Sequence, residues 1–432
     1  MTAAATLARL RQHPAWISVF AGAVALSTYS CMYAFRKPFA AATFDGGDSL
    51  FGLDYKVWLV IAQVLGYMCS KFVGIGVIGG LRREHRQALL LGLMACAWLA
   101  LLGFATVPAP WNIPFLFLNG LPLGMVWGLV FSYLEGRRST EVMAAILASS
   151  FIMASGIVKS VGKWLLLQGV SEYWMPFLTG LLFLPLLLLS IRMLERIPDP
   201  DAADRRERSV RRPMDRAERR AFVRRFLPGL VLVVLCYLCL TVVRDFRDSF
   251  EAELLTDLGY GHSAGVFVLI ETPIAVAVLA LTAGLSWFRD HLRGLMVLHG
   301  MMLSGLLIAG LSTLAFQAHW LPPLTWLGLT GFGLYLAYVP FNCVFYERLI
   351  STFRIAGNVG FLMYLSDAFG YLGSVLVLLA RELARVQLSW VEFFGQAVLH
   401  LALLGSLCLI GSAAYFHGRA RRERHATAAP AV

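Results

Sequence analysis

Apolar residues arrive in this chain as long blocks separated by short polar punctuation, without the alternation of a half-buried strand. Several blocks hold roughly 18 residues or more with few charges, enough to cross about 30 Å of hydrocarbon as a helix. The pattern predicts helices near 15–40, 55–81, 86–107, 112–136, 141–168 and 174–194, then near 226–250, 263–288, 292–316, 324–349, 354–380 and 392–416. A hydrophilic stretch from Glu195 to Arg225 divides these spans into two sets of six. The expectation is an all-α, polytopic membrane protein. Its parts are a six-helix half over 1–194, a central loop over 195–225, a second half over 226–418 and a tail over 419–432.

Composition sharpens this picture. Of 432 residues, 58% are hydrophobic and 15% charged, against about 25% charged in soluble proteins. A soluble enzyme, a nucleic-acid binder and a disulfide-stapled secreted domain are all excluded. The net charge of +11 is distributed by loop. Arg82, Arg83 and Arg86, then Arg137 and Arg138, the central cluster, Arg289 and Arg293, Arg348 and Arg354, and finally Arg419, Arg421, Arg422 and Arg424 all fall on one side. Lys37, Lys56, Arg247, Arg381 and Arg385 fall on the other. The positive-inside rule then puts both termini and the central loop in the cytoplasm, in a cell inner or plasma membrane. Arg9 and Arg11 precede the first span without a small-residue cleavage site, which reads as an uncleaved first helix. Cys31, Cys69, Cys96, Cys236, Cys239, Cys343 and Cys408 lie in apolar blocks without metal-ligand spacing to His. They read as small core residues, and neither cofactor nor metal is expected.

Charges inside the spans carry the functional information, because each costs at least about 2.5–3.5 kcal/mol to insert and so faces a cavity or a partner. Lys71 lies about 15 Å from the cytoplasmic end of the second span, at about 1.5 Å per residue. No acid stands three or four positions from it. The bland alternative is snorkelling to the interface. Arg36, near the outer part of the first span, has interfacial anchoring as its alternative. Arg244 has Asp248 one turn on, so its alternative is an intrahelical ion pair; Asp245 is expected about 100° round the helix. Lys159 and Lys163 share a face of the fifth span, Lys163 nearer the outer interface. Glu271, Asp367 and Asp245 are the intramembrane acids, either proton carriers or partners of buried cations. His299 reads as a packed, hydrogen-bonded histidine.

The halves repeat. Tyr29-x-Cys31-x4-Arg36 on the first span has the same register as Tyr237-x-Cys239-x4-Arg244 on the seventh. Two structural repeats facing each other are typical of secondary transporters. A cavity lined by Arg36, Lys71 and Arg244, with Lys159 as a further candidate, would attract an anion. Arg offers paired donors for phosphate or carboxylate and Lys a point charge.

Four stretches resemble the major facilitator superfamily, and within it the organophosphate:phosphate antiporters that carry glycerol-3-phosphate and hexose phosphates. They are YAFRKPFAAATF (33–44), GYMCSKFVGIGVIGGLRREHR (66–86), FLNGLPLGMVWGLVFSYLEGRRSTE (117–141) and GFGLYLAYVPFNCVFYERLISTFRIAGNVGFLMYLSDAFGYLGSV (331–375). The resemblance implies that Arg36, Lys71 and Arg244 form a phosphate site, that Glu271 is the family's acidic residue of the eighth span, and that the protein works as a monomer. The chain departs from the family in carrying Met153 near the place of a histidine and no Asp in GGLRREHR. It keeps Asp290 in the equivalent SWFRDHLRG, and it has Asp367 where the family is apolar. These departures are those of a divergent branch.

The expected function is secondary active transport of a small anionic metabolite, foremost an organophosphate, by exchange with phosphate or with protons. A proton-coupled carrier of another organic anion is the nearest alternative, and a transporter-like membrane sensor of a phosphorylated metabolite is an alternative of another class. For the sensor, the Arg-rich 205–225 segment would be a partner surface; its plainer reading is a topology signal in contact with lipid headgroups. The chain carries no HExxH, nucleophile elbow or phosphate-binding Gly loop. Gly120-x3-Gly124-x3-Gly128 reads as close helix packing.

Overall fold

The protein is described by a computed structural model. The structure describes residues 14–45, 49–79, 83–135, 139–199, 216–288, 290–353, 360–384 and 388–428, together with Arg137, Asp204 and Ile355. The basic residues Arg9, Arg11, Arg82, Arg138, Arg289, Arg354 and Arg385, and the 205–215 part of the central loop, lie outside the described residues.

Fourteen α-helices are described: α1 (Pro14–Tyr33), α2 (Tyr55–Gly79), α3 (Arg83–Thr106), α4 (Ile113–Phe131), α5 (Thr140–Leu167), α6 (Met175–Leu194), α7 (Arg216–Ser249), α8 (Glu251–Asp257), α9 (Val266–Gly284), α10 (His291–Gln317), α11 (Pro323–Pro340), α12 (Tyr346–Thr352), α13 (Gly360–Leu383) and α14 (Trp390–Ala428). Ten of them are long and apolar enough to cross a membrane. The expected tenth span is divided: α11 ends at Pro340, five π-helical residues Phe341–Phe345 follow, and α12 resumes.

Three boundaries differ from the hydropathy pattern. The first span does not run to residue 40. It leaves α-helix at Tyr33 and tightens into i to i−3 bonds from Ala34, Phe35 and Arg36, followed by a 3₁₀ turn over Pro38–Ala41. Pro38 has no N–H to donate and clashes with the preceding turn, which disfavours α-helix there. The seventh helix starts at Arg216, inside the expected central loop. Its RAERRAFVRR opening is rich in strong helix formers, with Glu218 in the first turn. The last helix continues to Ala428, through most of the expected tail. Arg419 pairs with Glu423 at 3.2 Å one turn on, and Arg225 reaches the same carboxylate at 2.8 Å.

Two compact units are formed, and they do not follow the halves of the sequence. The first comprises 1–209 with 249–275 and 378–386; the second comprises 210–248, 276–377 and 387–432. In the first unit α2 packs on α4, α1 on α5 and α6, and α3 on α4. In the second unit α10 packs on α11, α12 and α14. Glycine makes the α2–α4 approach possible. A Cβ at Gly124 would stand 2.7 Å from both the Ser70 Cβ and the Tyr67 carbonyl oxygen, and Cβ atoms at Gly66 and Gly120 would overlap the carbonyls of Phe117 and Gln63. This is the close helix packing expected of the glycine spacing. In the second unit Gly305 and Gly333 meet in the same way between α10 and α11.

His299 is buried as expected. Its Nδ1 bonds the Leu295 carbonyl at 2.7 Å and its Nε2 lies 3.1 Å from the Ser412 hydroxyl. A carbonyl only accepts, so Nδ1 carries the proton and, in the neutral ring, Nε2 accepts from Ser412.

Gly124→Val is expected to push α2 away from α4 at the turn carrying Tyr67, lowering stability by about 1–3 kcal/mol. Gly92→Ala, where a Cβ meets nothing within 4 Å, is expected to be silent. Thermal unfolding of the purified protein in detergent compares the two.

Candidate functional site

Where α1 unwinds, its last carbonyls lose their helical partners and must find others. Two buried amides supply them. Asn119 on α4 donates through Nδ2 to the Phe35 carbonyl at 2.9 Å and to the Ala97 carbonyl at 3.0 Å. Gln63 on α2 donates through Nε2 to the Arg36 carbonyl at 2.9 Å and to the Asn119 Oδ1 at 2.9 Å. The turn is therefore held by two neighbouring helices, and the direction of the Arg36 side chain is set by it. Arg36 is buried, with its Cζ 3.8 Å from the centroid of the Tyr67 ring. Lys71, also buried, brings its Nζ to 5.1 Å from the same centroid. Tyr67 and Lys71 are four residues apart on α2 and so share a face. The Tyr67 hydroxyl lies 3.5 Å from that of Tyr29 on α1.

The second unit holds a related arrangement. Arg244 on α7 is buried with its Cζ 4.3 Å from the Tyr338 ring centroid on α11. Tyr338 stacks on Tyr237 of α7, with centroids 5.3 Å apart and planes at 24°. The Tyr237 hydroxyl is 3.1 Å from that of Tyr338 and 3.4 Å from Oδ1 of Asn342 in the π-helical segment, and it makes a short hydrogen bond to Oδ1 of Asp367 on α13. A phenol has one proton. Given to Asp367, it is not available at the same time to Tyr338 or Asn342. Tyr346 on α12 completes the polar wall through a 2.9 Å hydroxyl contact with Ser366.

The remaining candidates fall as follows. Asp245 was expected to face away from Arg244, but its Oδ1 lies 3.7 Å from the Arg244 Nη2. The long, flexible arginine stem lets the guanidinium swing round the helix, although 3.7 Å is outside hydrogen-bond range. Lys159 on α5 is fully buried and forms an ion pair with Glu251 of α8 in the first unit; its Nζ is also 5.6 Å from the Phe267 ring centroid. Glu271 on α9 is buried where α5 passes closely: a Cβ at Gly156 would stand 2.7 Å from the Glu271 Cβ. The structure thus gathers Arg36 and Lys71 on one ring, sets Arg244 on another, and gives Lys159 a carboxylate.

Sequence reading missed a second ion pair of α8. Lys56, counted among outer-side charges, is buried and bonds Glu253 at 2.5 Å and the Ala40 carbonyl at 3.3 Å. Burial pushes the Glu253 carboxyl above its ordinary range, and the Lys56 ammonium pulls it back. Arg247, another presumed outer charge, is 1% exposed. Tyr67, Tyr338, Asn119 and Gln63 were also missed. Only Tyr67 had a usable signal, its four-residue spacing to Lys71.

Removing one partner of a buried ion pair leaves an uncompensated charge and costs about 3–5 kcal/mol, whereas removing both is far milder. Glu251→Gln is therefore expected to lower thermal stability more than the double variant Lys159→Met/Glu251→Leu, read as melting temperature in detergent.

The fold can be compared with solved structures. A crystal structure of a D-xylose-proton symporter matches with a TM-score of 0.58 and 14% identity, over 92% of this chain and 96% of that one. The likeness shows the major facilitator fold, in keeping with the ten described helices that are long and apolar enough to cross a membrane. No curated protein matches the sequence. The family model that matches, described as a family of unknown function (DUF5690), spans residues 38–419, and this chain belongs to that family.

Proposed function

We propose that the protein is a secondary active transporter of a small anionic metabolite, an organophosphate foremost, with Arg36, Lys71 and Arg244 as the groups that receive the anion. The observation that carries this reading is the convergence of Arg36 and Lys71 on the single ring of Tyr67. Two like charges sharing one ring repel each other, and an aromatic face softens a buried cation by only about 0.5–2 kcal/mol without removing its charge. An anion between them relieves the repulsion. Arg36 supplies paired donors for phosphate oxygens and Lys71 a mobile point charge. Arg244 on Tyr338 offers the second unit's counterpart.

Lys159 is set aside as a substrate ligand in this reading, because Glu251 occupies its ammonium. The protein sits in the cell's inner or plasma membrane with both termini cytoplasmic and works as a monomer. The sugar:proton symporter of like fold supports transport as the class of activity; at 14% identity it carries nothing about the cargo. One observation favours a variant of the proposal, in which a proton rather than phosphate is the coupling partner. Asp367 is a carboxylate bonded into the tyrosine cluster beneath Arg244.

The test is counterflow in proteoliposomes loaded with inorganic phosphate, following labelled glycerol-3-phosphate, a hexose phosphate and a dicarboxylate. Arg36→Ala, Lys71→Ala and Arg244→Ala each remove a hydrogen bond to charge worth about 1.5–3 kcal/mol. Uptake at limiting substrate is expected to fall by about tenfold to a hundredfold in each. Full activity in the Lys71 and Arg244 variants would remove these residues as groups that receive the anion. Binding without flux in the unaltered protein would turn the reading to a sensor of the same anion.

A further inference from the structure

The two units repeat the arrangement of an arginine over a tyrosine whose hydroxyl meets a second tyrosine, but they differ at its end. In the first unit the pair is Tyr67 and Tyr29; in the second it is Tyr338 and Tyr237, and there the chain of hydroxyls runs on into the Asp367 carboxylate. We propose that Asp367 is the proton-coupling group of this transporter, linked to the anion held at Arg244 through Tyr237 and Tyr338. This inference rests on the anion-transport reading above and adds the coupling ion and its site.

The argument is electrostatic. Arg244, Tyr338, Tyr237 and Asp367 form a continuous line of contacts: guanidinium on ring at 4.3 Å, hydroxyl to hydroxyl at 3.1 Å, then hydroxyl to carboxylate. Among the groups facing Asp367 are Tyr237 from α7, bonded to its carboxylate, and Tyr346 from α12, within its electrostatic reach; Tyr338 from α11 and Asn342 from the π-helical segment meet the same Tyr237 hydroxyl. On its own helix Ser366 is turned to Tyr346. Around Arg244 stand Tyr338, Asp245, Tyr371 and Tyr335. An ionised Asp367 takes the Tyr237 proton, and two hydroxyl contacts separate it from the ring under Arg244. An anion at Arg244 adds a further negative charge to a cluster that already holds Asp245 and Asp367, in a medium where charges are poorly screened. A proton from water onto the Asp367 carboxylate removes that conflict. The neutral acid donates to the Tyr237 oxygen in place of accepting from it, which releases the Tyr237 proton to the Tyr338 oxygen. Proton and anion therefore bind each other's complex more tightly than the empty protein, and the effect is reciprocal. The irregular backbone fits this use: Asn342 sits in a π-helical segment, a form that recurs at functional sites.

The experiment compares the unaltered protein with Asp367→Asn and Tyr237→Phe in proteoliposomes, using labelled glycerol-3-phosphate as the probe. Two modes are read: accumulation driven by an inward proton gradient, and counterflow with the same anion on both sides and no gradient. Asp367→Asn is expected to lose gradient-driven accumulation and keep counterflow within a few-fold. Its half-saturating concentration should also lose the part of the pH dependence belonging to the protein, which for one linked proton is up to about tenfold per pH unit. The ligand's own titration is common to both proteins and cancels in the comparison. Tyr237→Phe keeps the ring but breaks the hydroxyl chain, and is expected to shift the pH midpoint while retaining accumulation. Retained counterflow shows that each variant is folded. Gradient-driven accumulation that survives in Asp367→Asn overturns the proposal and leaves anion transport standing. Counterflow of phosphate and organophosphates absent in the unaltered protein overturns the anion reading, and the coupling proposal with it.

Discussion

A positive charge in an apolar interior has to be answered locally, and the ways in which this chain answers its buried cations organise everything else in it. Lys56 and Lys159 are answered by carboxylates of α8, Glu253 and Glu251. Arg36, Lys71 and Arg244 are set on tyrosine rings. The two answers have different consequences. A carboxylate cancels the charge and ties two helices together, which suits a structural joint. A ring face lowers the cost of burial by about 0.5–2 kcal/mol without itself cancelling the charge.

Backbone irregularity accompanies the ring-stacked arginines in both units. α1 unwinds before Pro38, so that Arg36 projects from a turn whose carbonyls are bonded by Gln63 and Asn119. In the other unit α11 gives way to a π-helical stretch just after Tyr338. Non-helical backbone at membrane depth is tolerated only where it is buried in protein or lines a cavity. The Gln63–Asn119 pair meets that condition in the first unit. It depends in turn on the glycines that let α2 and α4 approach, because Gly120 leaves room at the Gln63 carbonyl. Packing, amide network and charge placement are thus one connected construction.

What could be read from the chain alone follows the same physics. Arg36, Lys71 and Arg244 stood out because a charge in an apolar block is anomalous wherever it points. Tyr67 and Tyr338 did not, because tyrosine is at home in such a block and its role depends on which ring lies under which cation. The burial of Lys56 and Arg247 was not legible for a related reason. Nearness to a span end says that a charge can reach water, and only packing decides whether it does; both are buried. Asp245 was misjudged because angular position on a helix locates a Cβ and not the end of an arginine. The spans were legible from block length. Their interruptions near Pro38 and Pro340 were not, because Pro122, Pro185, Pro228 and Pro273 lie within continuous helices, and the helix through 216–225 was concealed by its charge.

The repeat itself shows which of these features the structure preserves. Tyr29 and Arg36 match Tyr237 and Arg244 in register, yet the rings carrying the arginines come from non-corresponding spans, the second of the first half and the fourth of the second half. Matched positions on the first helix of each half therefore do not bring matched neighbours. What both units share is a relation: an arginine on a phenol whose hydroxyl meets the repeated tyrosine. A relation reached from two different helices is set by the requirement for a buried, ring-supported cation rather than by inherited position. Asp367 is where the equivalence stops. In the first unit the pair of hydroxyls is Tyr67 and Tyr29, and in the second the pair meets a carboxylate as well.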